Sequence, residues 1–222
     1  MPPKVAPQQR ARSAAQKSDR REAILVAAEA QFRYSGFEAF SMATLARDAG
    51  VAKGTLYLYF KTREEVLLEL YKRQLTNWCG RLAAALHSGM EDLEIVEAFF
   101  RTAREDPVFL QLVARLDSVI EHNVSLDQLI AAKRLMISQF AALSPALEDC
   151  LALDAGSVFE VLQTFAALLL GAQQSDAGPA LAAESLPRDV RELVDSFSAE
   201  GIFIPGALGI LAGIRERAAA RD

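Results

Sequence analysis

Cysteine, histidine and tryptophan are scarce in this 222-residue chain, which holds two, two and one of them. Cys79 and Cys150 are too few for a disulfide scaffold and do not form a Cys-x-x-Cys pair, which fits a reducing compartment. His87 and His122 stand alone in the sequence, so no zinc-ligand spacing occurs and neither a metal nor a cofactor is expected. Long apolar runs are missing as well. The longest, Phe165 to Leu170 followed by Gly171 and Ala172, is far shorter than the ~20 residues a membrane span requires. The N-terminus lacks the apolar stretch of a signal peptide, and the expectation is a cytoplasmic protein with no membrane partner. Strand-like alternation, fixed-period repeats, phosphate-cradling glycine loops and nucleophile–base pairs are all absent. The chain is therefore read as a non-enzyme with no catalytic residues.

What is present is a chain 51% hydrophobic, long enough for one large or two modest cores, with a net charge of −5 that hides a split. Through Glu64 there are 11 Lys and Arg against 6 Asp and Glu, a net of +5, which leaves −10 for the rest. A basic head on an acidic body suits a protein that touches DNA at one end. Residues 1–17 are rich in Pro, Ala and Gln, carry Lys4, Arg10, Arg12 and Lys17 with no acid, and read as a disordered basic arm. The arm either follows a DNA backbone or is a solvated tail. Asp19-Arg20-Arg21-Glu22 reads as a capping box opening a helix from about Ser18 to Tyr34, with Ile24, Ala27, Ala28 and Phe32 on one face and Ser35-Gly36 as its stop.

Ser41 to Phe60 is the most informative stretch. Met42, Leu45, Ala46 and Ala49 recur at i, i+3, i+4 and i+7, Ser41 is placed to cap them, and Gly50 sits where a helix ends in a left-handed residue. A second short helix follows, in which Lys53, Thr55, Tyr57 and Tyr59 alternate with the anchors Leu56 and Phe60. Hydroxyls and an ammonium suit phosphate oxygens and base edges. Two short helices around a tight turn form a helix-turn-helix. Thr62-Arg63-Glu64-Glu65 is a further capping box, starting a long helix through Trp78 toward His87.

Gly50-Val51-Ala52-Lys53-Gly54-Thr55-Leu56-Tyr57-Leu58-Tyr59-Phe60, continued by Lys61 to Leu67, resembles the signature of the TetR family of bacterial transcriptional regulators, from about Ile24 to Leu67. The resemblance implies an all-α fold. A three-helix helix-turn-helix DNA-binding domain at 18–64 would be followed by a larger helical effector-binding and dimerisation domain at 65–222. It also implies DNA contacts from Lys53, Thr55, Tyr57 and Tyr59 on the recognition helix and from Arg63 beyond it. Gly54 permits close approach of the backbone, Leu58 suits a thymine methyl, and Ser41, Thr44 and Lys61 are further phosphate candidates, with Ser41 equally explained as a cap. Two positions depart from the family pattern: Ala52 lacks a capping hydroxyl, and Ala43 lacks a polar side chain where some members read a base.

Beyond the head, helices are expected at 91–104, 107–122, 125–143, 154–174, 188–198 and 205–219, with breaks at Ser144-Pro145, 175–179 and 201–205. Trp78, Phe99, Phe100, Phe109, Met136, Phe140 and Phe159 supply apolar surface for a ligand pocket or an ordinary bundle core, and His122 with Glu121 is a polar candidate there. Val158, Val161, Leu162, Phe165 and Leu169 give one helix more apolar surface than a single buried side needs. Either they form a dimer face, as the family's four-helix bundle implies, or they are buried within the monomer. The expected partners are a double-stranded DNA operator, a second copy of the chain and a small-molecule effector. A helical small-molecule carrier and a nonspecific architectural DNA-binding protein are the alternatives.

Overall fold

The computed structural model describes residues 7–176 and 186–221, and the chain is all-α. The helices are α1 Pro7–Ala39, α2 Met42–Asp48, α3 Lys53–Tyr59, α4 Arg63–Ala85, α5 Asp92–Arg104, α6 Pro107–Arg115, α7 Leu126–Leu151, α8 Ala155–Asp176, α9 Arg188–Ser196 and α10 Ala199–Ala219. A π turn, Leu116–Ile120, and a 3-10 turn, Glu121–Asn123, join α6 to α7. Packing divides the chain into two compact units, Met1–Gln74 with Gln111–Lys133, and Leu75–Leu110 with Arg134–Asp222.

In the first unit, Ile24, Leu25, Ala28 and Phe32 of α1 are buried with Leu45, Leu56 and Phe60. The periodic spacing that marks α1 in the sequence therefore forms its core face. The helix begins at Pro7, well inside the stretch read as a disordered arm, and residues 1–6 lie outside those described. Proline is at home in a first turn, and the Gln, Arg and Ala that follow are strong helix formers, which corrects that reading for Pro7 to Lys17. Asp19 to Glu22 consequently lie inside the helix and cap nothing; Glu22 instead meets Arg73 of α4 at 2.8 Å. Gly36 does break the helix, at φ 71°, where a side chain would be strained.

Polar contacts fasten α1 to the first half of α4: Arg21 to Glu69 at 3.1 Å, and the Gln74 amide donating to Glu29 at 3.0 Å. Burial works to raise the Glu69 carboxyl, but Lys72 and Arg21 beside it outweigh that and hold it below its ordinary range. The sequence reading ended the head at Glu64, whereas this unit also takes in Gln111–Lys133. Arg115 reaches Glu38 at 3.6 Å and lies over the Phe37 ring, and the Thr62 hydroxyl donates to the Asn123 carbonyl at 3.4 Å. A three-helix head has little core of its own, and these added residues widen it.

The second unit is built on rings. Trp78 stacks on Phe109 and meets the edge of Phe99; Phe203 stacks on both Phe99 and Phe100; Phe165 meets Phe99 and Phe203 edge to face. Helix α8 packs along α10, which also packs on α5. A Cβ on Gly206 would stand 3.0 Å from the Leu168 side chain, so glycine there lets α10 approach α8 closely. By length and composition alone, Ala155–Ser175 is long and apolar enough to cross a membrane. Its Val158, Val161, Leu162, Phe165, Leu169 and Ala172 are buried in this unit. Asp154 caps α8, and the Ser157 hydroxyl and backbone hydrogen bonds hold its carboxyl below the ordinary range. Burial pushes the Cys79 thiol up to about 12, so it is a packing group.

Two expected breaks are corrected. Helix α7 runs through Pro145 to Leu151, and α10 starts at Ala199 and runs through Pro205. A proline in a helix interior costs ~3 kcal/mol. Leu143, Leu147 and Leu151 are all buried, as are Phe203, Ala207 and Leu211, so each helix keeps an apolar stripe on both sides of its proline. Ser198 also caps α10, accepting from the Gly201 amide at 3.0 Å. Residues 177–185, which include most of the remaining expected break, lie outside those described.

Candidate nucleic-acid interface

The turn that aims α3 is set by local chemistry. Ser41 Oγ accepts from the Thr44 amide at 3.2 Å and its hydroxyl lies 3.1 Å from Thr44 Oγ1, so both side chains are engaged at the start of α2. At the other end Gly50 adopts φ 64°. Its amide donates to the Arg47 carbonyl, and that of Val51 donates to the Ala46 carbonyl, the paired bonds of a Schellman motif. Ala52 then stands in extended conformation before Lys53, with no side-chain hydrogen bond at the start of α3.

At about 100° per residue, the faces of α3 follow directly. Leu56 and Phe60 are buried and anchor the helix; Leu58, 80% exposed, lies roughly opposite them. Lys53, Gly54 and Tyr57 are exposed beside it, and Thr55 and Tyr59 are half-buried on the other flank. Lys61 is exposed just beyond the helix. Arg63 is held inward: its Nε meets Glu64 at 3.0 Å and its guanidinium lies 4.8 Å from the centre of the Phe37 ring.

Charge pairing separates these groups further. Among the described residues of the first unit, Arg21, Arg33, Arg47, Arg63, Lys72, Arg73, Arg115 and Lys133 each meet a carboxylate. Lys17, Arg20, Lys53 and Lys61 form no ion pair among the described residues, and all four are exposed. Lys17 and Arg20 line an open groove of 870 Å³ together with Gln16 and Asp19 of α1, Thr55 and Tyr59 of α3, and the turn between α2 and α3. The sequence reading places Lys17 in an arm that either follows a DNA backbone or is a solvated tail, and Arg20 in a capping box, so it sets neither beside α3. The available signal was helical continuity from Pro7, which puts Gln16, Asp19, Arg20 and Ala23 on one face at i, i+3, i+4 and i+7.

The remaining candidates separate in space. Trp78, Phe99, Phe100 and Phe109 come together in the ring cluster, where the buried Trp78 indole N–H has no hydrogen-bond partner among the described residues. Phe140, with Ile137, Phe159 and Leu162, lines a different cavity of 220 Å³ in the second unit, and Met136 is half-buried on α7. His122 is exposed in the 3-10 turn of the first unit. Val158, Val161, Leu162, Phe165 and Leu169 are all buried in the protomer's own core, the second of the two readings open for them. The apolar excess of α8 is taken up by α10 and α5 of the same chain. Among the described residues no cluster of three His, Cys, Asp or Glu is arranged to hold a metal ion.

Residues 24–70 match the family described as bacterial regulatory proteins, tetR family, and residues 72–189 match the one described as tetracyclin repressor-like, C-terminal domain. The chain is 28% identical over 132 residues to the HTH-type transcriptional activator FasR of Mycolicibacterium smegmatis, covering 58% of this chain and 60% of that one. It is 34% identical over 67 residues to the fatty acid metabolism regulator protein of Bacillus subtilis, covering 30% of this chain and 34% of that protein. It thus spans less than two thirds of either relative. Among solved structures, a single-residue variant of TetR from Acinetobacter baumannii in complex with minocycline superposes with a TM-score of 0.54 at 14% identity, covering 89% of this chain and 94% of that one. FadR of Bacillus halodurans gives 0.51 at 17%, covering 86% and 98%. At these identities the structural likeness concerns the fold alone.

Proposed function

Because the chain belongs to the TetR family of bacterial transcriptional regulators, we propose that it acts in the cytoplasm as a dimeric repressor. It would bind a pseudo-palindromic operator and be released by a small-molecule effector. The observation that carries the DNA half of this reading is α3. A helix anchored by Leu56 and Phe60 offers an ammonium, an exposed tyrosine and a bare glycine to solvent, beside cations with no carboxylate partner. Lys53 and Tyr57 would read base edges and phosphates in the major groove, Thr55 and Tyr59 would meet backbone, and Gly54 would admit it closely. Ser41, Thr44 and Arg63 would orient the reading helix through the contacts that already engage them.

The dimer is proposed to form through the side of α8 and α10 that the protomer leaves open. Gln163, Ala167 and Gly171 recur on α8, and Pro205, Gly209 and Ala212 on α10, all exposed and mostly small enough for close helix approach. The effector is proposed to be apolar with one hydrogen-bond acceptor, entering the ring cluster and taking the unpartnered Trp78 N–H. The Bacillus subtilis relative's name makes an uncharged fatty-acyl compound, methyl decanoate, a sensible first probe, and the single tryptophan makes its binding readable by fluorescence.

The test is recovery of crosslinked DNA across the genome. Wild type should enrich a short set of palindromic sites, and K53A/Y57A should lose them while sedimenting as an unchanged dimer. Equal recovery of all sequences, or unaltered sites in the double variant, would overturn the reading. Transcripts beside those sites should rise on deletion of the gene; a fall would replace repressor by activator, the role in FasR's name.

A further inference from the structure

A helix lying in a major groove about 12 Å wide has a phosphate wall on each flank. Here the Thr55 and Tyr59 flank of α3 faces the open groove that α1 completes with Lys17, Asp19 and Arg20. The groove is polar, and the two cations in it form no ion pair among the described residues, although eight other cations of the same unit have found carboxylates. Asp19 lines the same groove and works against an anion there. Like Lys53 and Lys61 of the same unit, Lys17 and Arg20 are cations left in water, and they are suited to a polyanion that arrives from outside.

We infer that the groove between α1 and α3 seats a DNA phosphodiester strand, with Lys17 and Arg20 as its phosphate ligands and the Thr55 and Tyr59 hydroxyls closing the other side. The inference rests on the DNA-binding reading above and adds to it two sequence-independent phosphate ligands from α1, outside the helix-turn-helix, facing Thr55 and Tyr59 of α3. The early start of α1 is what builds it, because an arm beginning its helix only near Ser18 would not fix Lys17 and Arg20 against α3. Such contacts position the reading helix and carry no base information.

The experiment measures affinity against salt, using a recovered genomic site and a random duplex of equal length. K17A/R20A should weaken both DNAs together, by roughly tenfold near physiological salt, and lower the slope of log K against log salt by about 1.8 per head, leaving the ratio between the two DNAs unchanged. D19N should strengthen both. A methylphosphonate placed singly along the flank of the site should weaken wild type at one position and leave K17A/R20A indifferent there. An unchanged slope in K17A/R20A, or a loss confined to the genomic site, would overturn the inference. If wild type bound no DNA at all, or K53A/Y57A bound normally, the failure would instead be that of the DNA-binding reading. Circular dichroism and melting of both variants should match wild type, since none of the three side chains is buried.

Discussion

Both units bury phenylalanines, but they differ in what else they do with rings and charges. The first presents Tyr57 at the surface of α3 and leaves Lys17, Arg20, Lys53 and Lys61 without carboxylate partners among the described residues. The second turns Trp78, Phe99, Phe100, Phe109, Phe165 and Phe203 inward against one another. Aromatic rings stabilise a core only when removed from water, whereas an exposed tyrosine next to unpaired cations adds nothing to folding and is available to a partner. One unit is thus arranged to meet a charged surface, and the other to enclose apolar matter.

The hardest break in this contrast is Phe203→Ala. The ring is fully buried and contacts Phe99, Phe100 and Phe165, so its removal should cost about 3 to 5 kcal/mol in urea unfolding. A loss below about 1 kcal/mol would mean the cluster is loosely packed. Within the head, Leu56 and Leu58 make a sharper internal test, two positions apart on one helix. Leu56→Ala, at a residue with no exposed surface, should cost about 2 to 5 kcal/mol. Leu58→Ala, at one 80% exposed, should stay within about 0.5 kcal/mol. Its effect should appear in DNA binding instead: replacing one thymine of a half-site by uracil should weaken wild type and leave Leu58→Ala unmoved, if that side chain reads a methyl group.

Legibility in the sequence followed the distance over which each feature is decided. The cap at Ser41, the left-handed Gly50 and the buried pair Leu56 and Phe60 depend on neighbours a few residues away, and spacing was enough to place them. Features decided further off are not placed by spacing. Helix α8 is apolar on more than one side, so its pattern cannot say whether the covering helix is α10 of the same chain or a copy in another. Pro145 and Pro205 obeyed a local rule that buried stripes override. Arg63 is drawn inward partly by Phe37, which belongs to a different element and leaves no mark on the signature around Arg63. Lys17 and Arg20 became visible only when α1 was continuous and α3 stood beside it.

The gentlest alteration concerns the start of α3. Helices α2, α4, α8 and α10 open with a side chain accepting a backbone N–H, from Ser41, Thr62, Asp154 and Ser198, whereas Ala52 gives α3 none. The backbone at Ala52, φ −63° and ψ 144°, already has the extended geometry a capping residue needs. Ala52→Ser should therefore stabilise the chain by about 0.5 to 1 kcal/mol, a rise in Tm of roughly 1 to 4 °C, with its hydroxyl oxygen accepting from the Gly54 or Thr55 amide. Ala52→Val, which cannot accept, should give no such rise. Differential scanning calorimetry of the two variants separates a capping effect from simple filling of space, and equal melting temperatures would show that the open end of α3 is already satisfied by water.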